Sequence, residues 1–488
     1  MFRRVREAAR AFYDTYPSSD LNARCGGHGQ RRRRRRRSTV RSRRLRVRVA
    51  TSPRVLTMVS TRALLQSRRR PGSTNALVAA VFFSTFCSVR PTAAVDFLTT
   101  GQLIEKHGHS AGYSRYSVPT EDGYLVNLFH IKGHGGPPFL LLHALMGASD
   151  QWFLRDEHHD LPSILANNGY DVWLGDFRGN LYSKQHTYLN ATDSEYWKFS
   201  IDEWALYDVP AMIDFVCNNT EYDKTYLVTY SMSSAVVLAT TSARPEYNDK
   251  IIVSYHLAPF VAFTNIKSIL LRIGVHFGQF YLAIARNIKK FELFPRNHWS
   301  INSISLFCSK QSVFLNACVS LLSEFFGFDT TSKNSTNSVL LVMFQMNLDF
   351  KLAYSRAGVS LNSIDHLLQM IRTSKFQHYD MGSSKNMWKY GQLKPPEYDL
   401  RKVTSPVVLY YSQNDRVVDS GTIHKLISIL PNVYQTIIIP HKTFGHIDYS
   451  FSTNAKTLVF DSIINIARQF RVPRNYPLYN DYYYYYYK

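Results

Sequence analysis

The chain is predicted to be an α/β protein: a mostly parallel central sheet with helices on both faces, interrupted by an inserted, mainly helical cap. Three observations predict it. Short β-prone runs alternate with helical patterns on both sides of a long middle block, which is the rhythm of strands joined by crossover helices. The middle block, from Phe260 to about Tyr390, is rich in Phe, Leu, Ile and Ser and carries helical patterns such as Ile269–Ile288. Finally, Lys224–Thr240 reads as a strand, a sharp turn carrying a serine, and a buried helix.

Composition bounds what the chain can be. At 488 residues, 45% hydrophobic, with 32 tyrosines and 30 phenylalanines, it can bury a substantial core. The net charge of +22 suggests a nucleic-acid partner until its distribution is read. Residues 1–94 hold 23 Arg, no Lys and three acids, so they carry 23 − 3 = +20. The rest has 58 − 23 = 35 bases against 36 − 3 = 33 acids, or +2, and no nucleic acid is expected for that body. The run Arg31–Arg37 would suit nucleic acid only if it persisted in the mature protein.

The leader ends in Arg68-Arg69-Arg70, the apolar run Ala76 to Val89, and Thr92-Ala93-Ala94. A basic flank, a short apolar core and small residues before a cut describe a secretory signal peptide, placed at an ordinary distance if initiation is at Met58. Residues 1–94 are therefore expected to be a basic leader and signal, absent from the mature protein. The remaining boundaries read as 95–260 for the first part of the α/β core, 261–392 for the cap, 393–475 for the second part, and 476–488 for a Tyr-rich tail.

The body opens with Tyr113–Ile131, two β-rich runs around a Glu-Asp-Gly turn, a hairpin signal. Phe139–Leu142 is a continuous apolar run of the buried parallel-strand type and ends in His143-Ala144-Leu145-Met146-Gly147. Leu161–Asn168 reads as a helix, Tyr170–Leu174 as a strand closed by Gly175-Asp176-Phe177-Arg178, and Glu203–Val216 as an amphipathic helix. Ile251–Pro259 is the strand after the serine turn. No run in the cap reaches 18 uncharged apolar residues, so no membrane span is expected. Beyond Pro395 the alternation resumes: strand Pro406–Tyr411, turn Ser412–Asp415, helix Gly421–Ile429, strand Tyr434–Ile439, loop His441–His446 and helix Thr457–Phe470.

Cys217, Cys308 and Cys318 lie in the body; the last two, ten apart, can close a loop in an oxidising compartment and leave Cys217 free. No C-x-x-C motif or His/Cys cluster suggests a metal, and no cofactor is implied. Asn190-Ala-Thr, Asn218-Asn-Thr and Asn334-Ser-Thr are glycosylation sequons that agree with secretion.

The serine turn carries the chemistry. Thr229-Tyr230-Ser231-Met232-Ser233 stands where a nucleophile elbow would read G-x-S-x-G. A serine nucleophile needs a base in hydrogen-bond reach and an acid to orient that base. Asp415 and His446 each follow a predicted strand, in the chain order Ser, Asp, His of an α/β-hydrolase. An oxyanion needs backbone N–H donors; Met232, next to the serine, and Leu145, after the Phe139–Leu142 strand, are the candidates. His143 is read as shaping that loop.

These segments resemble the acid lipase family of α/β-hydrolases, which includes lysosomal acid lipase, gastric lipase and insect lipase-3-like enzymes. TEDGYLVNLFHI, LLLHALMGASDQW, NNGYDVWLGDFRGNLYSKQH, YGQLKPPEYDL and YYSQND carry the resemblance, which spans roughly Val95 to Arg471. It implies a Ser231–Asp415–His446 triad, an oxyanion hole from Leu145 and Met232, and a lid-bearing cap. It also implies a Cys308–Cys318 disulfide and hydrolysis of neutral lipid esters such as triacylglycerols or sterol esters at a lipid–water interface. Three departures stand out, because the family typically has glycine where this chain has Ala144, Thr229 and Ser233. The first reading is thus a secreted serine lipase or esterase, with the lysosomal lumen as the alternative location. The second is a catalytically weak lipase-fold protein that binds lipid or a protein partner.

Overall fold

The hairpin at the start of the body pairs β1 (Tyr113–Pro119) antiparallel to β2 (Tyr124–Ile131), with Val118 opposite Val126. Gly123 in its turn has φ of 91°, a conformation open to glycine. This computed structural model describes residues 97–109, 112–261, 266–327 and 348–474, all within one unit, Leu77–Lys488. The basic leader and signal-like run, Asn334 and the Tyr-rich tail lie outside the described residues.

Behind the hairpin come β3 (Pro138–Leu142), β4 (Asp171–Asp176), a short β5 (Gln185–His186), β6 (Thr225–Tyr230) and β7 (Ile251–Leu257). After the long middle segment, which contains the two-residue strands β8 (Glu292–Leu293) and β9 (Val359–Ser360), come β10 (Val407–Tyr411) and β11 (Val433–Ile438). The sheet runs β1-β2-β4-β3-β6-β7-β10-β11, with β5 beside β2. Every pairing from β4 to β11 along that order is parallel. β3, β4, β6, β7 and β10 are buried along their whole length, which is why they read as apolar runs rather than alternating ones. One buried cluster packs Phe139, Val228 and Tyr255 against Val459 and Ile463; another packs Leu140, Leu142 and Leu227 against Met212, Ala235 and Leu238. The sheet thus has a core on each face.

Two local expectations are corrected. β4 runs on to Asp176 rather than ending at Leu174, because Gly175 is a packing glycine and not a strand breaker. It pairs with Leu142, and a Cβ there would sit 2.6 Å from Met212 Sδ. The helix predicted over Glu203–Val216 is present but contains a wide turn at Trp204–Asp208 before the regular helix Val209–Asn218. Pro210 has no N–H to give the carbonyl four residues back, that of Leu206, which instead accepts from Arg244 Nη1 at 3.1 Å.

Between β7 and β10 the described residues are mostly helical: Ile269–Asn287, His298–Cys308, Leu315–Phe326, Leu348–Tyr354, Leu361–Thr373 and Ser383–Tyr390. A Cys308–Cys318 disulfide joins the second and third of these helices, and Cys217 is free and half-buried. Among the described residues, no helix is long and apolar enough to cross a membrane.

Candidate active site

β3 and β6 are neighbours with Leu142 in register with Thr229, so the loops leaving both strands emerge side by side. β10 and β11 bring the turns after Tyr411 and Ile438 to the same edge. This is where parallel strands place loops at their carboxyl ends.

Ser231 is the joint between β6 and the helix Met232–Ala243, with φ of 59° and ψ of −114°. A serine held at positive φ is strained and must be over-determined by its surroundings. Its N–H donates to the Leu257 carbonyl at 2.9 Å, and its carbonyl accepts from Ser234 N at 3.1 Å and Phe260 N at 3.2 Å. The hydroxyl is thereby aimed at His446: Ser231 Oγ lies 2.9 Å from His446 Nε2. His446 Nδ1 lies 2.8 Å from Asp415 Oδ2. A carboxylate only accepts, so Nδ1 carries the proton and Nε2 presents its lone pair to the serine. The other oxygen of Asp415 accepts the N–H groups of Val417 and Val418, both at 2.8 Å, which fixes the carboxylate plane. All three side chains are buried. The imidazole is further held through its own backbone: Tyr230 Oη donates to His446 O at 2.7 Å, and His446 N donates to Phe326 O at 2.8 Å.

The three positions without glycine are tolerated for identifiable reasons. None of Ala144, Thr229 and Ser233 is among the described residues with positive φ, so a Cβ costs only space there. Ser233 Oγ accepts the Tyr230 N–H at 2.8 Å and lies 3.0 Å from the Leu142 carbonyl, tying the elbow to the end of β3. Thr229 Oγ1 lies 2.9 Å from Ser234 Oγ and 2.9 Å from His256 Nδ1. Burial pushes His256 down to about 3, so this imidazole is neutral in the sheet. Ala144 N donates to Gln151 Oε1 at 3.2 Å. The positive φ of the β3 loop falls instead at Met146, at 62°.

Leu145 sits in that loop, half-buried, and Met232 is the first residue of its helix, whose N–H has no intrahelical partner. His143 holds the loop in shape. Its Nδ1 donates to the Ala144 carbonyl at 2.8 Å, and its Nε2 accepts from Phe177 N at 3.2 Å and Asn180 Nδ2 at 3.1 Å. Burial lowers it to about 4, so it is a neutral strut. Asn180 also donates to Asp176 Oδ1 at 2.8 Å. Asp176 in turn accepts from Ser149 N and Ser149 Oγ, both at 2.8 Å, and desolvation raises its carboxyl to about 6.

Several residues that hold the site were not singled out from sequence. The helix Leu315–Phe326 ends on Gly327, with φ of 84°, and a Cβ there would lie 1.7 Å from the Asn414 carbonyl. Glu324 in that helix pairs with Arg416 at 2.9 Å and accepts the Ile269 N–H at 2.8 Å, so it grips the residue next to Asp415. On the other side, Asp448 accepts Gly445 N at 2.6 Å, and burial raises its carboxyl to about 7. Glycine after a helix was the one available signal for Gly327. A cavity of about 780 Å³ between Trp197, Phe291, Tyr379 and Lys389 touches none of Ser231, Asp415 and His446. Asn190 and Asn218 are exposed.

Known proteins are similar to this chain in sequence. Residues 137–266 match the alpha/beta hydrolase fold, and residues 100–156 match a partial alpha/beta-hydrolase lipase region. Lipase 3 of Drosophila melanogaster is 32% identical over 376 residues, covering 75% of this chain and 91% of that protein. Lipase 1 of Drosophila melanogaster is 30% identical over 382 residues, 78% of this chain and 81% of that protein. Gastric triacylglycerol lipase of Rattus norvegicus is 30% identical over 385 residues, 76% and 92% respectively. With its sheet order, its elbow and these relatives, the chain belongs to the acid lipase family of α/β-hydrolases and is a carboxylic ester hydrolase.

Proposed function

We propose that the protein is a secreted lipase that hydrolyses neutral lipid esters, triacylglycerols or sterol esters, through an acyl-enzyme on Ser231. The observation that carries this reading is the hydrogen-bonded chain Asp415–His446–Ser231, with separations of 2.8 and 2.9 Å. As Ser231 Oγ bonds to the ester carbonyl carbon, its proton passes to His446 Nε2, and Asp415 stabilises the imidazolium that results. The carbonyl oxygen takes the negative charge and is met by the N–H groups of Met232 and Leu145. Collapse expels the alcohol, which receives the proton from Nε2. Water, deprotonated by His446, then attacks the acyl carbon and releases the fatty acid and Ser231.

The segment 261–392 is assigned as the cap over this site. Secretion rests on the signal-like run before residue 95, the Cys308–Cys318 bond and the exposed sequons at Asn190 and Asn218. The weak-enzyme reading rests on the replaced glycines, and the hydrogen bonds of Thr229 and Ser233 weigh against it.

A serine-directed phosphonate ester of p-nitrophenol tests the assignment. Incubated with the enzyme and followed by peptide mass mapping, it should add a single phosphonyl group to Ser231. An adduct confined to another serine would sink the proposal.

A further inference from the structure

The helix Ile269–Asn287 is two-faced in an unusual direction. Its inner face, Gly278, Leu282 and Ala285, is buried, with Leu282 and Ala285 clustered on Leu361 and Leu368 of the helix Leu361–Thr373. Its outer face is apolar as well: Ile273, Phe277, Phe280, Tyr281 and Ile284, followed by Ile288, are 43% to 68% exposed. These positions recur at spacings of three and four residues, so they form one stripe. Exposed apolar stripes of this kind mark a surface that meets something.

Charge says what that something is. No Asp or Glu occurs between Asp249 and Glu292, whereas Lys267, Arg272, Arg286, Lys289 and Lys290 all fall in that interval. The body from residue 95 onward carries only +2, so this short stretch is a local positive excess. Arg286 is paired with Asp365 at 2.6 Å. Arg272, Lys289 and Lys290 are exposed and make no ion pair among the described residues. Aromatic and aliphatic side chains flanked by unpaired cations describe a helix that lies in a lipid headgroup layer, apolar stripe down, with its charges on anionic heads.

We propose that the helix Ile269–Asn287 docks the enzyme onto anionic lipid surfaces, Phe277, Phe280 and Tyr281 entering the acyl boundary and Arg272, Lys289 and Lys290 meeting the headgroups. This deepens the lipase reading above and rests on it. The docking helix is joined to the catalytic machinery, since its first N–H is held by Glu324, which also grips Arg416 beside Asp415.

The test is co-sedimentation of the purified protein with vesicles of pure phosphatidylcholine and of an equimolar phosphatidylcholine–phosphatidylglycerol mixture. Turnover of a soluble short-chain p-nitrophenyl ester is measured in parallel and reports on the triad without any interface. The wild type should partition at least about tenfold more strongly onto the anionic vesicles. The double change Phe277→Ser with Phe280→Ser should lower that partition about tenfold or more while soluble-ester turnover persists. Lys289→Glu with Lys290→Glu should erase the preference between the two compositions. Equal partition of the wild type onto both vesicles would overturn the proposal, as would undiminished binding by the two double variants. If the Phe277→Ser, Phe280→Ser protein instead melts at a markedly lower temperature, the stripe is covered within the molecule, and the proposal fails. Absent soluble turnover in the wild type would refute the lipase reading while the vesicle data still decide the docking.

Discussion

The backbone N–H of His446 donates to the carbonyl of Phe326 at 2.8 Å, so the imidazole is held by the last residue of a helix in the segment between β7 and β10. Tyr230 Oη holds the His446 carbonyl from the opposite side, at 2.7 Å. The loop that carries His446 is therefore placed by two distant parts of the chain, and disturbance of either should reach the active site.

Gly327 is the sharpest case. Its φ of 84° and the 1.7 Å separation between an added Cβ and the Asn414 carbonyl leave no room for alanine. Gly327→Ala should force the helix end or the Asp415 turn to shift, and kcat for a soluble ester should fall by about 100-fold, the scale of a misplacement of about 1 Å. Steady-state kinetics checks this; kcat within a factor of two of wild type would contradict it.

Glu324 should separate activity from stability. Its pair with Arg416 is partly exposed, so its loss should cost no more than about 1 kcal/mol. Glu324→Ala nonetheless releases both Arg416 and the Ile269 N–H, and kcat should drop about threefold to tenfold with KM nearly unchanged. Glu324→Gln, which keeps one acceptor, should fall between the two. Urea unfolding alongside kinetics measures the contrast.

Ser233 is expected to matter for stability. Ser233→Ala removes a buried hydroxyl that accepts the Tyr230 N–H at 2.8 Å and lies 3.0 Å from the Leu142 carbonyl, which should destabilise the fold by about 1 kcal/mol. The midpoint and slope of urea denaturation read this directly. A change below a few tenths of a kcal/mol would mean that the elbow is not held by that hydroxyl.

His143 predicts a pH dependence. Its folded value of about 4 lies below the usual 6.5 because burial penalises the charged ring. As pH falls below about 6.5, the unfolded chain takes up a proton that the folded one does not, so stability is lost toward acid. One such group contributes a slope of about 1.4 kcal/mol per pH unit between roughly 6.5 and 4. Asp176, raised to about 6, acts in the opposite sense, since its folded form gains a proton before the unfolded chain does. His143→Gln should remove the His143 slope from the difference between the two stability-against-pH curves, measured by denaturant titration at each pH.

Much of this architecture was legible in the sequence because its signals are local. Buried parallel strands such as Phe139–Leu142 announce themselves as apolar runs; Ser231 and Asp415 each follow one, and His446 lies in the loop after the partly exposed β11. What escaped depends on distance or on dihedral angles. Gly175 looks like a strand end until Met212, far along the chain, is seen against it. Glu324 and Gly327 meet the Asp415 turn across some ninety residues of sequence, with no pattern to connect them. Whether Thr229 and Ser233 could replace glycine turned on the sign of φ, which residue identity does not disclose. The strain lies two residues from each of them, on Ser231 itself.

The proposed chemical step is attack on an ester by Ser231, activated by His446 and Asp415. It is tested most directly by the turnover of p-nitrophenyl butyrate by the wild type and by Ser231→Ala under identical conditions. The wild type should turn the ester over clearly, and the variant should lose at least about 1,000-fold in kcat/KM with its melting temperature unchanged. A folded Ser231→Ala protein that retains wild-type turnover would contradict it.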